Sequence, residues 1–317
     1  MADHQALRDW FARRTFATGD LDLADLARRK ARSGVTVSLV LPARNEAGTV
    51  QRVVRAGTAL LGSLVDEVVV LDGASTDGTA DLAAAAGATV HQDSDILSEF
   101  GRPRGKGDAL WRALHVTAGD IVAFVDTDIR NADPRFVWGI VAPLLLDADI
   151  DFVKGFYDRP IEVAGELQPS GGGRVTELMA RPLLNLFWPT LAGLVQPLSG
   201  EYAGRRAVLE QVPFFTGYGV EIALLLDIAA RRGVDAIAQV DLGHRVHRNQ
   251  DLHSLSRMAY AVASVALHRL SGEGRAHFAD AIDTRYVQFG RDAAGRITLE
   301  PTDVGDVERP PIASLSG

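Results

Sequence analysis

Two aspartates one residue apart, Asp126 and Asp128, close the apolar run IVAFV at residues 121–125. In extended chain, alternate side chains leave the same face, so both carboxylates are expected within reach of one ion. Two like charges that close repel unless a positive group sits between or beside them. The chain has no cysteine, so a metal there must take oxygen or imidazole. Mg²⁺ or Mn²⁺ suits carboxylate oxygens together with substrate phosphates. An isolated pair of this kind is more often a solvated turn or a helix cap; closing a buried strand favours the ion.

Other groups gather near strand ends. LPARNE offers Asn45 and Glu46 as acceptors for a base edge or ribose, or as a cap for the next helix. In LDGASTDGT, Asp72 has the same potential, while Ser75, Thr76 and Asp77 suit a helix start. GRPRGKGDAL is not a Walker A loop, because its glycine spacing is wrong and Gly107 follows Lys106. A glycine-flanked lysine opening a helix still suits phosphate. GGGRVTEL, residues 171–178, sets bare backbone donors and Arg174 at a helix start, a place for an acidic acceptor or a simple hinge. HRVHRN, residues 244–249, holds His247 as a metal ligand or a surface imidazole. TGYGVEIALLLD puts Glu221 at the start of an apolar helix, as a cap or as a carboxylate facing a sugar.

These groups need a scaffold that brings distant segments together. From Val35 onward the chain reads strand, turn, helix, repeatedly: VTVSLVLPARNE, a helix from about Ala47, VDEVVVLDGASTDGT, then ADLAAAAGA and TVHQD. Continuous apolar strands alternating with helices imply an α/β fold with a mostly parallel, Rossmann-like sheet flanked by helices, with helical N- and C-terminal extensions. Ligands of such sheets sit beyond the carboxyl ends of the strands, where the three polar clusters converge. Strands are predicted in IDFVKGFYDRP and AIAQVDLGHRVHRN, and helices around VEIALLLDIAARR and over residues 253–270. The expected organisation is a helical extension at 1–34, ending at Gly34, a nucleotide-binding half at 35–165, an acceptor half at 166–270, and a loosely attached polar tail at 271–317. No period of a repeat protein is evident.

Of 317 residues, 47% are apolar and 23% charged, and the net charge is −8. That balance argues against a general nucleic-acid surface. No run approaches the ~18 apolar residues of a membrane span, and the start carries charges where a signal peptide is apolar. A cytoplasmic protein is expected.

VSLVLPARNE, VVVLDGASTDGT, GKGDAL and FVDTDI, in this order, resemble the GT-A nucleotide-sugar glycosyltransferases. With GGGRVTEL, QPLSGEY, GYGVEI and RVHRN following, residues 35–249 resemble the glucosyl-3-phosphoglycerate synthase family. The resemblance implies a GT-A fold and transfer of glucose from UDP-glucose to the 2-hydroxyl of 3-phosphoglycerate, with retention and with Mg²⁺ or Mn²⁺ as cofactor. It implies donor contacts at Pro42, Ala43, Glu46, Asp72, Gly73, Lys106, Asp126 and Tyr218. Metal ligands would be Asp128, His247 and Asp126. Acceptor contacts would be Gly173, Arg174, Thr176, Arg245 and Asn249; Glu221, Asp128 and Arg174 would act at the reaction centre. A homodimer is implied as well. Gly73 replaces the family's usual serine, Arg44 a leucine, and FYDRP a more basic FYRRP, so GDP-mannose remains an alternative donor. A sugar nucleotidyltransferase would need a glycine-rich basic loop after the first strand, which LPARNE is not, and a non-catalytic nucleotide-sugar sensor would need no acceptor loop.

Overall fold

The computed structural model describes residues 4–158, 161–163, 166–168, 173–246 and 251–315. Helix α1 (His4–Arg14) and strand β1 (Thr15–Ala17) precede helix α2 (Leu23–Ser33). α2 stops at Gly34, as the sequence predicts. The Asp22 side chain accepts from the Ala24 N–H, and Gly34 ends the helix at φ 70°, a left-handed conformation open to a residue without Cβ. Next come β2 (Val37–Ala43), α3 (Val50–Thr58), β3 (Glu67–Asp72), α4 (Thr79–Ala85), β4 (Thr89–Gln92), α5 (Lys106–Val116), β5 (Ile121–Phe124), α6 (Arg135–Leu146) and β6 (Phe152–Asp158). The helix predicted from about Ala47 begins at Val50, after a turn in which the Thr49 and Val50 N–H groups donate to the Glu46 carbonyl.

A short antiparallel pair, β7 (Ile161–Val163) and β8 (Glu166–Gln168), follows. A helical segment with a π turn at Thr176–Ala180 runs into α7 (Arg181–Phe187). Then come β9 (Tyr202–Arg205), α8 (Arg206–Leu209), β10 (Phe214–Phe215), α9 (Val220–Arg232), β11 (Ile237–His244) and α10 (Leu252–Gly272). Strands β12 (Arg285–Arg291), β13 (Ile297–Asp303) and β14 (Glu308–Arg309) complete the chain.

The main sheet has eight strands in the order β1-β11-β6-β9-β5-β2-β3-β4. All neighbours are parallel except β9, which runs antiparallel between β5 and β6. Alternate strand residues supply two separate cores. Leu39, Leu41, Val68 and Val70 pack on one face with Val53 and Ile140, while Val40, Val69 and Phe124 pack on the other with Leu110 and Leu224. Both faces are covered by helices, which is why the strands are apolar throughout rather than alternating.

Two expectations change. The N-terminal segment expected as helical also contributes an edge strand, β1, paired in parallel with β11. The C-terminal segment is neither loose nor helical. β12 and β13 form a hairpin, and β14 pairs antiparallel with β10. The Pro310 carbonyl accepts from Trp111 Nε1 at 2.8 Å, and Ile312 enters the core. Its polar composition concealed a few anchoring residues whose burial depends on partners two hundred positions away. No described helix is long and apolar enough to cross a membrane.

Candidate active site

Beyond β5, Thr127 turns inward and its hydroxyl donates to the Pro42 carbonyl at 2.7 Å. Asp126 and Asp128 therefore leave the other side of the chain together, as their spacing predicted. Both reach Arg245, the residue after β11. Arg245 Nη2 lies 3.3 Å from Asp126 Oδ2 and also contacts Asp128 Oδ1. The next turn holds this arrangement: Asn131 accepts from the Val246 N–H at 2.8 Å and donates to the His244 carbonyl at 3.0 Å. The second oxygen of Asp126 pairs with Lys106 Nζ at 2.5 Å, and the same ammonium lies 2.8 Å from Glu221 Oε1. The positive groups beside the two aspartates are thus Arg245 and Lys106.

Lys106 opens α5, and Glu221 sits in the first turn of α9, where a carboxylate is favoured by the helix N-terminus. Burial of Lys106 pulls its proton affinity down, but Asp126 and then Glu221 outweigh this and hold it well above the ordinary lysine range. Lys154, 1% exposed, lies beneath the cluster. It donates to the Ser199 carbonyl at 2.5 Å and stands 4.5 Å over the Tyr202 ring. Burial draws its ammonium down to about 7, against the opposing pull of Glu221. Gly200 is here by necessity of space: a Cβ on it would collide with the Asp126 carboxylate.

The neighbouring strand ends form a separate, cross-braced rim. Asn45 and Ala74 both adopt positive φ, 56° and 55°. The Asn45 N–H donates to Ser75 Oγ at 2.9 Å, and the Asn45 side-chain oxygen accepts from the Thr76 N–H at 3.0 Å. Glu46 N–H donates to Thr79 Oγ1, and Asp77 accepts from the Ala47 and Thr79 N–H groups. Asn45 and Asp77 brace the two turns against each other; Asn45 is not the cap of the next helix that the sequence also allowed. Asp72 accepts from the Ser75 N–H and Gln92 Nε2, both at 3.0 Å, while its buried Oδ1 has no partner among the described residues. Burial, and then the charge of Asp128, raise the Glu46 carboxyl.

The expected residues fall into groups. Lys106, Asp126, Asp128, Glu221 and Arg245 share one contact network. Pro42, Ala43, Glu46, Asp72 and Gly73 lie at the ends of β2 and β3 and in the turns that follow. Tyr218 is 48% exposed in the loop before α9. Gly173, Arg174 and Thr176 lie on another element, the start of the helical segment that leads to α7, with Arg174 exposed. His247 and Asn249 lie outside the described residues, as do Gly171 and Gly172. Arg245, which the resemblance assigns to the acceptor, contacts the aspartate pair. Tyr157, Lys154 and Glu201 belong to the network and were not singled out from sequence. A lysine inside the apolar run DFVKGF, and a glutamate just before a short strand in SGEYAG, were the available signals.

Asp126 and Asp128 fit a hard divalent cation. Their side chains are partly exposed, 23% and 34%, and one cationic nitrogen already touches both. Among the described residues no group of three His, Asp or Glu side chains forms a complete metal set.

The mostly parallel sheet with helices on both faces and polar strand ends on one rim is of the GT-A type, and residues 38–183 match Glycosyl transferase family 2. The chain is 44% identical to a glucosyl-3-phosphoglycerate synthase from Petrotoga mobilis, over 98% of this chain and 96% of that protein. It superposes on the crystal structure of mannosyl-3-phosphoglycerate synthase from Rubrobacter xylanophilus with TM-score 0.90, 42% identity and 98% coverage of each chain. For glucosyl-3-phosphoglycerate synthase from Mycobacterium tuberculosis, solved with Mn²⁺, UDP-glucose and phosphoglyceric acid, the TM-score is 0.81 at 42% identity, over 95% and 98% of the two chains. The chain belongs to the glucosyl-3-phosphoglycerate synthase family.

Proposed function

We propose that this protein transfers glucose from UDP-glucose to the 2-hydroxyl of 3-phosphoglycerate with retention, giving glucosyl-3-phosphoglycerate. The likeness to a relative solved with Mn²⁺, UDP-glucose and phosphoglyceric acid together carries this reading. Asp128 and Asp126, with His247, would hold the divalent cation, Mg²⁺ or Mn²⁺. When bound, the cation supplies electrostatic stabilisation of negative charge on the departing diphosphate. Pro42, Ala43, Glu46, Asp72 and Gly73 face the nucleotide, Lys106 neutralises the donor side, and Tyr218 lines the sugar. Gly173, Arg174, Thr176, Arg245 and Asn249 take the phosphoglycerate; orienting it lowers the barrier through proximity.

The reaction joins the acceptor oxygen to the anomeric carbon as the bond to the diphosphate breaks. The departing phosphate oxygen takes the hydroxyl proton, all on one face of the sugar. Glu221 is held by Lys106 at 2.8 Å, which suits a fixed negative charge beside an oxocarbenium-like sugar better than a free nucleophile.

A donor panel tests this: UDP-glucose, GDP-glucose and GDP-mannose, each with 3-phosphoglycerate and Mg²⁺. UDP-glucose is expected to give the highest kcat/KM. The superposition on a mannosyl-3-phosphoglycerate synthase supports a second reading, GDP-mannose as donor, and a preference for it in the panel would replace the first. Asp128→Ala is expected to abolish metal-dependent UDP release, and undiminished turnover in that variant would remove the metal role. We further propose a homodimer. One face of the β12–β13 hairpin exposes Val287, Phe289, Ile297 and Leu299, each 48–67% accessible, more apolar surface than a lone hairpin leaves bare without a partner. The absence of cysteine supports a reducing, cytoplasmic location.

A further inference from the structure

Glu201 is wholly buried, a position that suits a carboxylate only when its charge is compensated. Its Oε2 accepts from Tyr157 Oη at 2.6 Å, Ser199 Oγ at 3.2 Å and Arg245 Nη1 at 3.1 Å. Its Oε1 lies 3.0 Å from the same Arg245 nitrogen, without hydrogen-bond alignment. The other terminal nitrogen, Nη2, faces Asp126 and Asp128. Nη1 also reaches Asp126 Oδ2 at 3.4 Å. One guanidinium, 3% exposed, therefore stands between a single inner carboxylate and the aspartate pair. Among the described residues Arg245 is the cation within ion-pair distance of Glu201; Lys154, which donates to the Ser199 carbonyl at 2.5 Å, acts on Glu201 from farther away.

The arrangement has an electrostatic consequence. An arginine fixed against two metal ligands opposes a dication, because it neutralises the charge that attracts the ion and repels the ion itself. A buried carboxylate on the far side of the same guanidinium cancels that effect. We propose that Glu201 is a positioning residue which neutralises Arg245 from behind, leaving Asp126 and Asp128 the negative charge needed to bind a divalent cation. Tyr157 and Ser199 fix the Glu201 carboxylate for this task. The proposal rests on the divalent-metal reading of the aspartate pair.

The test is Mn²⁺ titration of the full chain by calorimetry, without substrates, in a double-mutant cycle. Glu201→Gln keeps the shape and removes the charge, and is expected to raise the Mn²⁺ Kd about tenfold or more. Arg245→Gln is expected to bind Mn²⁺ at least as tightly as the parent. The double variant is expected to return to within about threefold of the parent, because the two lost charges offset each other. A structural role alone would leave the double variant as weak as Glu201→Gln or weaker, and that result overturns the proposal, as does unchanged affinity in Glu201→Gln. Should Glu201→Gln fail to fold, the double variant, which leaves neither group of this pair charged, decides alone: near-parent affinity supports the proposal, and a loss of about tenfold overturns it. If the parent itself binds no Mn²⁺, the metal reading falls, an outcome distinct from any difference among variants.

Discussion

Arg309 and Asp108 form a buried, two-point ion pair across 201 positions of sequence, with Nε to Oδ1 at 3.0 Å and Nη2 to Oδ2 at 2.8 Å. Asp108 lies two residues after Lys106 on α5, and the Thr216 carbonyl, just ahead of α9, accepts its N–H at 3.1 Å. Val307 in turn pairs with Thr216 through two hydrogen bonds of 3.0 Å. The C-terminal strand thereby ties the helix that begins with Lys106 to the loop that precedes Glu221. Replacing Arg309 by Met leaves Asp108 paired with Arg112 and is expected to cost about 3 kcal/mol, lowering Tm by several degrees. Thermal unfolding of the variant checks it, and an unchanged Tm would show the strap to be energetically idle.

Asp306 continues the strap, accepting from the Gly219 N–H at 3.0 Å beside the start of α9. Burial pushes its carboxyl up to about 6, and the charge of Glu221 adds to the shift. The folded state thus keeps this proton at pH values where the unfolded chain has released it. That contribution to stability is complete below about pH 4 and is lost as pH rises through 6. Asp306→Asn cannot titrate, and its side-chain carbonyl still accepts from Gly219. Relative to the parent, it should gain on the order of 2 kcal/mol between pH 4 and 7. Urea unfolding across that range reads the difference, and a pH-independent gap contradicts the assignment.

Gly200→Ala should separate activity from stability. The new Cβ has no room beside Asp126 Oδ2, so the carboxylate must move. Moving this proposed metal ligand is expected to lower kcat on the order of a hundredfold. Gly48→Ala, where nothing lies within 4 Å of the added atom, serves as the neutral control. Equal activities for the two variants would mean that Asp126 tolerates the shift.

The proposed dimer is tested on the hairpin. Phe289→Ser with Leu299→Ser removes a directly cross-strand apolar pair from the exposed face while leaving the Gln288 contacts to α10 intact. Light scattering is expected to report a monomer for this variant and a dimer for the parent. A parent that is monomeric at micromolar concentration would leave the hairpin face unexplained by self-association.

How much of this was legible beforehand follows from the range of the interactions. The parallel strands, the end of α2 at Gly34 and the aspartate pair depend on neighbours in sequence, and local pattern exposes them. β9 did not stand out, because four residues between polar turns carry little pattern, and its antiparallel run is set by the strands it inserts between. Glu201 and Lys154 were passed over for a related reason: a lone charge in an apolar run signals burial, but its partners lie elsewhere in the chain. The acidic Asp126 and Asp128 were found, yet the cation that meets them was sought only in a metal. Arg245 and Lys106 were visible in sequence; their convergence was not, since it needs the ends of β5 and β11 and the start of α5 placed side by side.

The turns after β2 and β3 lock each other through Asn45, Ser75, Thr76 and Asp77. A binding rim already ordered in this way has little conformational freedom left to surrender when a nucleotide arrives, so less of the contact energy is spent on ordering. On the proposed binding mode, selectivity among bases falls to the side chains that such turns display, Arg44 among them, rather than to loop movement.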